Sequence, residues 1–265
     1  GPANLRAGDD VADDDAHDEC LTVAPVRPLP VVRPGSTDEA AAVVALAAER
    51  GVPLTARGSG TGLSGGWVPR PDGVVVSFDR MAEIVEIDLE NHVAVVQPGV
   101  TLHQLDEALA PLGFVYPVFP GESSASLGGN VATHAGGMRA VKYGVTRHQV
   151  LGLTAVLGTG EVVRTGGKFV KATTGYDLTQ LICGSEGTLA LVTEATVRLY
   201  PRPAHAATLV APFATLGTIA AAVPRIVASG IGPLIVEYID LMSMAGITRA
   251  AGLDLGIPDD VQATA

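Results

Sequence analysis

At 265 residues the chain can hold one large domain or two ordinary ones, and a formal net charge of −11 (17 basic against 28 acidic residues) without basic clusters argues against a nucleic-acid partner. No apolar run reaches the ~18 residues that a membrane-spanning helix needs, and Cys20 and Cys183, with no C-x-x-C spacing, read as reduced thiols of a cytoplasmic protein. Glycine, at 32 residues, exceeds the usual ~7%, which implies many points where backbone must approach something closely.

The opening Gly-Pro reads as an expression remnant. GDDVADDDAHDE (Gly8 to Glu19) concentrates the acidic excess and is expected to be a mobile, solvated segment. It lacks the glycine-punctuated spacing and bidentate Glu of a calcium loop. LPVVRPGS predicts a short strand. TDEAAAVVALAAERG predicts a helix: Ser36 or Thr37 can cap it, acids fill its first turn, Arg50 lies in its last and Gly51 stops it. VPLTARG predicts a strand running into a glycine loop, and GVVVSF, EIVEID and HVAVVQP predict three more. TLHQLDEALAPLG predicts a second helix. A glycine-rich segment then runs from Phe119 to Gly144. VLGLTAVLGTGEVVRT has the form of a hairpin, DLTQLICG of a short helix and TLALVTEATVRLYP of a long strand. Beyond Pro201 and Pro203 the texture changes. AATLVAPF and PLIVEYID predict strands, LGTIAAAVPRIVAS and LMSMAGITRAAG helices. This is a second α+β unit, with its boundary near Arg202, and IPDDVQATA ends it without a natural terminator, as a fragment would.

The densest glycines lie in RGSGTGLSGGWVPRPDG. Gly60, Gly62 and Gly65 spell G-x-G-x-x-G, and Asp79 follows at about the distance (~20 residues) that a Rossmann fold places its acidic residue. The context is wrong: that fold needs a helix directly after the glycines, and SGGWVPRPDG cannot form one. The remaining device is a nest, in which successive backbone N–H groups converge on an anion without a helix. Ser59, Thr61 and Ser64 add hydroxyls; a plain surface loop is the alternative. Two further small-residue segments, PGESSASLGGNVATHAGG and GSEGTLALVT, repeat the style. A single phosphate would not need three such segments; an extended dinucleotide would.

These segments resemble the FAD-binding domain of the vanillyl-alcohol oxidase superfamily, the PCMH-type flavoproteins, and within it the FAD subunit of glycolate oxidase and the D-lactate dehydrogenases. TARGSGTGLSGG resembles that family's pyrophosphate loop, and SSASLGGNVATHAGGMRAVKYGVTRHQVLGLTAVLGTGEVVRTGG and TGYDLTQLICGSEGTLALVTEATVRLYP resemble its flavin-cradling segments, the likeness running from about Val26 to Pro203. The resemblance implies an α+β fold of two subdomains with FAD extended between them, followed by the start of an α+β cap domain from about Ala204. It implies that Arg57, Gly58, Ser59, Gly60, Thr61, Gly62, Leu63, Ser64 and Gly65 wrap the pyrophosphate, largely with main-chain amides. Pro120, Gly121, Ser123, Leu127, Gly128, Gly129, Asn130 and Thr133 would line the stretch from pyrophosphate to ribityl chain. Gly136, Gly137 and Gly144 would let backbone pass beside the flavin, and Glu186, Gly187 and Val192 would cover the adenine-ribose end and part of the ring.

The implied activity is oxidation of a small 2-hydroxy acid, glycolate or D-lactate, by hydride transfer to flavin N5, with electrons passing to a quinone or partner protein. The implied setting is cytoplasmic or peripheral to the membrane, as a homodimer or with other oxidase subunits. Three departures bear on this. The pyrophosphate loop has no His, so FAD is expected to be non-covalent; His134 stands where relatives show Asn; Ala190 stands where they show Gly. His134 reads better as a polar group bonding the cofactor or solvent than as a base. Arg139 and Lys142 read as solvated or acid-paired rather than as substrate ligands, Tyr143 and Trp67 as packing, and Cys183 as a buried thiol. His103, His148 and His205 show no metal-ligand spacing. In the family the substrate base, the carboxylate-binding Arg and, in several members, a divalent-metal site lie in the cap, so no catalytic residue and no metal is assigned here. Two rivals stay open: an NADPH-dependent flavin reductase of the UDP-N-acetylmuramate reductase kind, and a non-catalytic FAD-binding domain.

Overall fold

A computed structural model describes residues 2–28, 30–252 and 263–264. The chain divides into two compact units, Gly1–Gly137 with Gly144–Arg202, and Met138–Tyr143 with Pro203–Ala265.

The first unit carries two main sheets. One contains β1 (Leu5–Ala7), β2 (Pro30–Val32), β3 (Leu54–Arg57) and β4 (Val74–Ser77) in the order β1-β2-β4-β3. β2 and β3 run parallel to β4, and β1 pairs antiparallel with β2. Parallel neighbours need a crossover, and α1 (Thr37–Arg50) supplies it between β2 and β3. Its ends follow from the sequence: Ser36 Oγ accepts from Glu39 N, the Glu39 carboxylate accepts from Gly35 N at 2.7 Å, and Gly51 closes the helix at φ 62°. Ala40, Val44 and Ala47 recur at helical spacing and are buried; Ala40 and Val44 join a core with Val76 of the first sheet, Phe78 and Met81 just beyond it, and Val156 and Leu191 of the second. Burying Val44 contributes roughly 1.5–3 kcal/mol, and an Asp there would strand a charge in that core.

The second sheet contains β5 (Ile84–Asp88), β6 (Val93–Val96), β8 (Val150–Leu157), β9 (Val162–Gly166) and β10 (Ala190–Arg198), while β7 (Phe114–Val115) pairs separately with β11 (Tyr200–Pro201). Its order is β5-β6-β10-β8-β9, antiparallel throughout. α2 (Leu102–Leu109) buries Leu102, Leu105 and Leu109 in its core, and begins with a capping box: Thr101 Oγ1 accepts from Gln104 N while Gln104 Oε1 accepts from Thr101 N. α3 (Leu127–Thr133) adds Leu127 and Val131 to the same core; α5 (Thr146–Gln149) and α6 (Leu178–Ile182) complete this unit.

The acidic N-terminal run is not a solvated tail. β1 lies in the first sheet, and only 1% of Asp15 and 4% of Asp18 are exposed. Arg6 Nη1 donates to Asp15 at 2.7 Å, and Arg27 donates to the carbonyl of Val11 at 2.7 Å. Asp79, placed where a Rossmann acid would stand, is tied instead to Arg33 at 2.8 Å and Arg6 at 3.5 Å. The counter-charges, Arg6, Arg27 and Arg57, all stand outside the acidic run, so a charge count over the run alone ignores them.

The second unit contains α4 (Ala140–Tyr143), β12 (Pro212–Phe213), α7 (Leu216–Ala228), β13 (Ile239–Asp240), α8 (Leu241–Ala251) and β14 (Ala263–Thr264). The strands form a sheet in the order β12-β14-β13. Thr215 and Asp240 cap the two longer helices, and α7 continues through Pro224, where one intrahelical bond is necessarily missing. The strands expected over AATLVAPF and PLIVEYID shrink to two residues each. Residues 206–210 are exposed, and Pro212 and Pro233 cannot donate to a ladder.

Candidate functional site

The loop that leaves β3 is locked to the start of α3. Ser59 N donates to Ser126 Oγ at 3.2 Å, and Ser126 N donates back to Ser59 Oγ at 2.9 Å. The same Ser126 Oγ caps α3 by accepting from Gly129 N at 3.3 Å. Gly58 passes so close that a methyl there would lie 2.3 Å from Ser126 Oγ. Gly60 and Gly65 sit at φ 82° and 73°. Among the described residues, the amides of Gly60, Thr61, Gly62, Leu63 and Ser64 donate to no protein group. A run of undirected N–H groups shaped by left-handed glycines is the physical form of an anion nest.

The other segments close on this one. Gly128 N donates to Pro98 O at 2.8 Å, which seats the α3 glycines on neighbouring backbone. Gly137 crosses the chain at Phe119: a methyl there would be 1.9 Å from the Phe119 carbonyl oxygen and 2.8 Å from Pro120 N, so only glycine fits. The third segment is pinned to the end of α3 by Gly184 N to Val131 O and Glu186 N to Ala132 O, both 2.9 Å. Its Glu186, at φ 51°, reaches the first loop, where a methyl on Gly66 would lie 2.8 Å from Glu186 Oε2. Gly144, at φ 76°, turns the chain into α5, and Val145 N donates to His148 Nδ1. Three small-residue stretches distant in sequence therefore meet around α3.

Several expected residues do something other than expected. The Arg57 side chain stacks over Trp67 at 5.0 Å and donates to the Asp14 carbonyl at 3.1 Å, so it braces the loop from the side. Thr133 Oγ1 donates to Gly129 O within the helix. The side chains of Leu127 and Val192 lie in the main core, as does the methyl of Ala190. The Lys142 ammonium lies over the Tyr143 ring. His134 ends α3 in the left-handed conformation; burial, then Arg147 and His148, hold its pKa below the usual imidazole value. Burial pushes the Cys183 thiol up. Ser126 and Asp18 were not expected at the site. The cap pattern of Ser126 was available in the sequence; nothing local marked Asp18.

Buried polar atoms test whether a ligand belongs here. Asp18 Oδ2, Trp67 Nε1, Asn130 Nδ2, His134 Nε2 and Ser185 Oγ are buried with no hydrogen-bond partner among the described residues. All five lie in, or against, the converging segments. Orphaned buried groups are costly, at about 1–3 kcal/mol each; others lie elsewhere, such as Ser77 Oγ in β4 and Arg198 Nε in β10, but these five stand where a polar ligand with donors and acceptors would pair them. A dinucleotide meets that requirement, and the free amides suit its diphosphate. A largely apolar cavity of about 210 Å³, bordered at one side by Gly187, lies between α1 and residues 187–191 and offers no ionisable group. Among the described residues no group of three or more His, Cys, Asp or Glu side chains could hold a metal ion, and no helix is long and apolar enough to cross a membrane.

The geometry defines a main-chain cradle for an extended nucleotide on an α+β scaffold. An FAD binding domain family model matches residues 28–166, more than half of the chain, so the protein belongs to that family of PCMH-type flavoproteins, and its cofactor is FAD. The chain is 57% identical over 262 residues to an FAD-linked oxidoreductase of Mycobacterium tuberculosis, covering 99% of this chain and 57% of that protein. It is 42% identical over 239 residues to a D-lactate dehydrogenase of Anaerostipes hadrus (90% and 50% covered), and 42% over 237 residues to the glycolate oxidase subunit GlcD of Bacillus subtilis (89% and 50%). The chain thus spans about half the length of these relatives. A solved structure of an alkyldihydroxyacetonephosphate synthase matches 99% of this chain and 52% of its own with a TM-score of 0.80 at 20% identity, a likeness of fold.

Proposed function

We propose that this chain is the cofactor-bearing part of an FAD-linked dehydrogenase of small 2-hydroxy acids, of the glycolate or D-lactate kind, that passes electrons to a quinone or protein acceptor. The observation that carries the reading is the meeting of three glycine-rich segments around α3, joined to the names of the relatives, a D-lactate dehydrogenase and a glycolate oxidase subunit.

Bound FAD supplies a two-electron acceptor for oxidation of the substrate carbon. In this reading residues 57–65 hold the diphosphate through main-chain amides, and the clasp between Ser59 and Ser126 keeps those amides aimed. Residues 120–133 follow the chain from diphosphate to ribityl group, with Asn130 Nδ2 as a buried donor. Gly136, Gly137 and Gly144 let backbone lie beside the ring, and His134, whose pKa burial holds below the usual imidazole value, offers Nε2 as a hydrogen-bonding group. Glu186 and Gly187 close the remaining edge. No His stands in the diphosphate loop, so the cofactor is held without a covalent bond. The unit from Pro203 onward is the opening of a substrate-covering domain, and the groups that bind and deprotonate the substrate lie outside the residues assigned here.

The test is anaerobic reduction of the full-length, FAD-loaded protein. Glycolate or D-lactate should bleach the flavin absorbance, NADPH should not, and acid precipitation should release FAD into the supernatant. Bleaching by NADPH alone would move the protein to the reductase class. A protein that takes up no FAD would remove the basis of the reading.

A further inference from the structure

The N-terminal segment is fastened onto the glycine loop at three places. Glu19 N donates to Gly62 O at 2.9 Å, a methyl on Gly65 would lie 2.6 Å from the Val23 side chain, and a methyl on Gly62 would lie 3.4 Å from Asp18 Oδ2. Asp18 is 4% exposed. Its Oδ1 accepts from Cys20 N at 3.1 Å, while Oδ2 is buried without a partner. A carboxylate oxygen is an acceptor only, so its missing partner is a donor. It cannot face a phosphate oxygen, which also only accepts. Beside a diphosphate loop the compatible ligand group is a hydroxyl, and a dinucleotide carries hydroxyls on both sides of its diphosphate.

We propose that Asp18 is a cofactor-binding residue, its Oδ2 accepting a hydrogen bond from a sugar or ribityl hydroxyl of the nucleotide held by the glycine loop. The role rests on placing the FAD diphosphate at residues 57–65. It makes the N-terminal segment part of the site, held there by the bond from Glu19 to Gly62 and the contact of Val23 with Gly65. Asp18→Asn is the sharpest probe. The amide oxygen still accepts from Cys20 N, but an N–H₂ donor replaces Oδ2 and meets the ligand's donor. Asp18→Ala, which removes both oxygens, is the second variant.

The experiment measures binding of FAD, ADP and FMN to the wild-type chain and both variants by calorimetry, with thermal unfolding of each cofactor-free protein. Both variants should bind FAD on the order of 10- to 100-fold more weakly, the range of a charge-assisted hydrogen bond. Cofactor-free Asp18→Asn should unfold no earlier than wild type, because the orphaned oxygen helps nothing without its donor. A loss shared with ADP assigns the adenosine ribose, and a loss shared with FMN assigns the ribityl chain. Unchanged FAD affinity in Asp18→Asn, or a loss matched by earlier unfolding of the cofactor-free protein, overturns the role and leaves Asp18 a structural residue. A wild-type chain that binds none of the three ligands overturns both this role and the loop assignment beneath it.

Discussion

Replacing Ser126 by alanine removes one oxygen that serves two amides, Ser59 N at 3.2 Å and Gly129 N at 3.3 Å, in a residue only 3% exposed. Loss of a helix cap costs about 0.5–2 kcal/mol, and stranding a buried donor about 1–3 kcal/mol. The two overlap, since both describe the same oxygen, and together give about 2–3 kcal/mol. In a unit of about 200 residues each kcal/mol moves the midpoint by roughly 2–4 °C, so Ser126→Ala should unfold about 4–12 °C below wild type. The amide of Ser126 still donates to Ser59 Oγ, so Ser59→Ala cuts the other half of the clasp. If the halves act as a unit, the double variant loses less than the sum of the singles by about 0.5 kcal/mol or more. Circular dichroism melts give the stabilities, and flavin-fluorescence titration should report weaker FAD binding as the loop comes away from α3. A wild-type midpoint with wild-type FAD affinity in Ser126→Ala would refute the reasoning, because the two segments would then be held by something else.

Gly137→Ala forces a methyl to within 1.9 Å of the Phe119 carbonyl oxygen, a backbone atom that cannot rotate aside, whereas Gly158→Ala meets nothing within 4 Å. The first should cost about 1–3 kcal/mol or more and the second little; equal melting points would show that the crossing at Phe119 is not tight. Because the pKa of His134 is lowered, the unfolded chain takes up the proton first as pH falls below the usual 6.5. The stability present above that pH is then lost progressively on acidification. His134→Gln should flatten part of this loss as pH falls through and below the usual imidazole value in urea titrations, and parallel curves for the two proteins would count against it. Asp15→Asn weakens a buried partner of Arg6 and should cost about 1–3 kcal/mol. Limited proteolysis with mass spectrometry should then find new cuts between Gly8 and Glu19, and an unchanged pattern would mean that other contacts hold the segment.

Features with local causes could be read from the sequence, and features with distant causes could not. α1 was legible because Ser36, Glu39 and Gly51 mark its ends within one short window. The β8–β9 hairpin was legible because GTG separates two apolar runs. α3 was hidden because Gly128 and Gly129 each lower helix propensity by about 1 kcal/mol. It forms because Ser126 caps it and Leu127 and Val131 are buried. The N-terminal run was misread for a similar reason: Arg6, Arg27 and Arg57, which tie it down, stand apart from its acids in sequence. Beyond Arg202 apolar runs were read as strands, but residues 206–210 are exposed there, and an apolar run without a ladder to join does not become a strand. Of the site, the glycine loops were visible by composition. Glu186 came with the family resemblance and Ser126 carried a cap pattern, but the bond that joins Ser126 to Ser59 links residues 67 positions apart and had no local sign.

The short strand β1 also decides how far the chain tolerates trimming. It covers one border of the parallel trio β2-β4-β3, pairing Leu5, Arg6 and Ala7 with Val32, Val31 and Pro30. A version cut back past Ala7 would lay bare the unpaired main-chain groups of β2. Such a border recruits foreign strands. The truncated protein would be prone to self-association and precipitation, although every glycine of the loops remained in place.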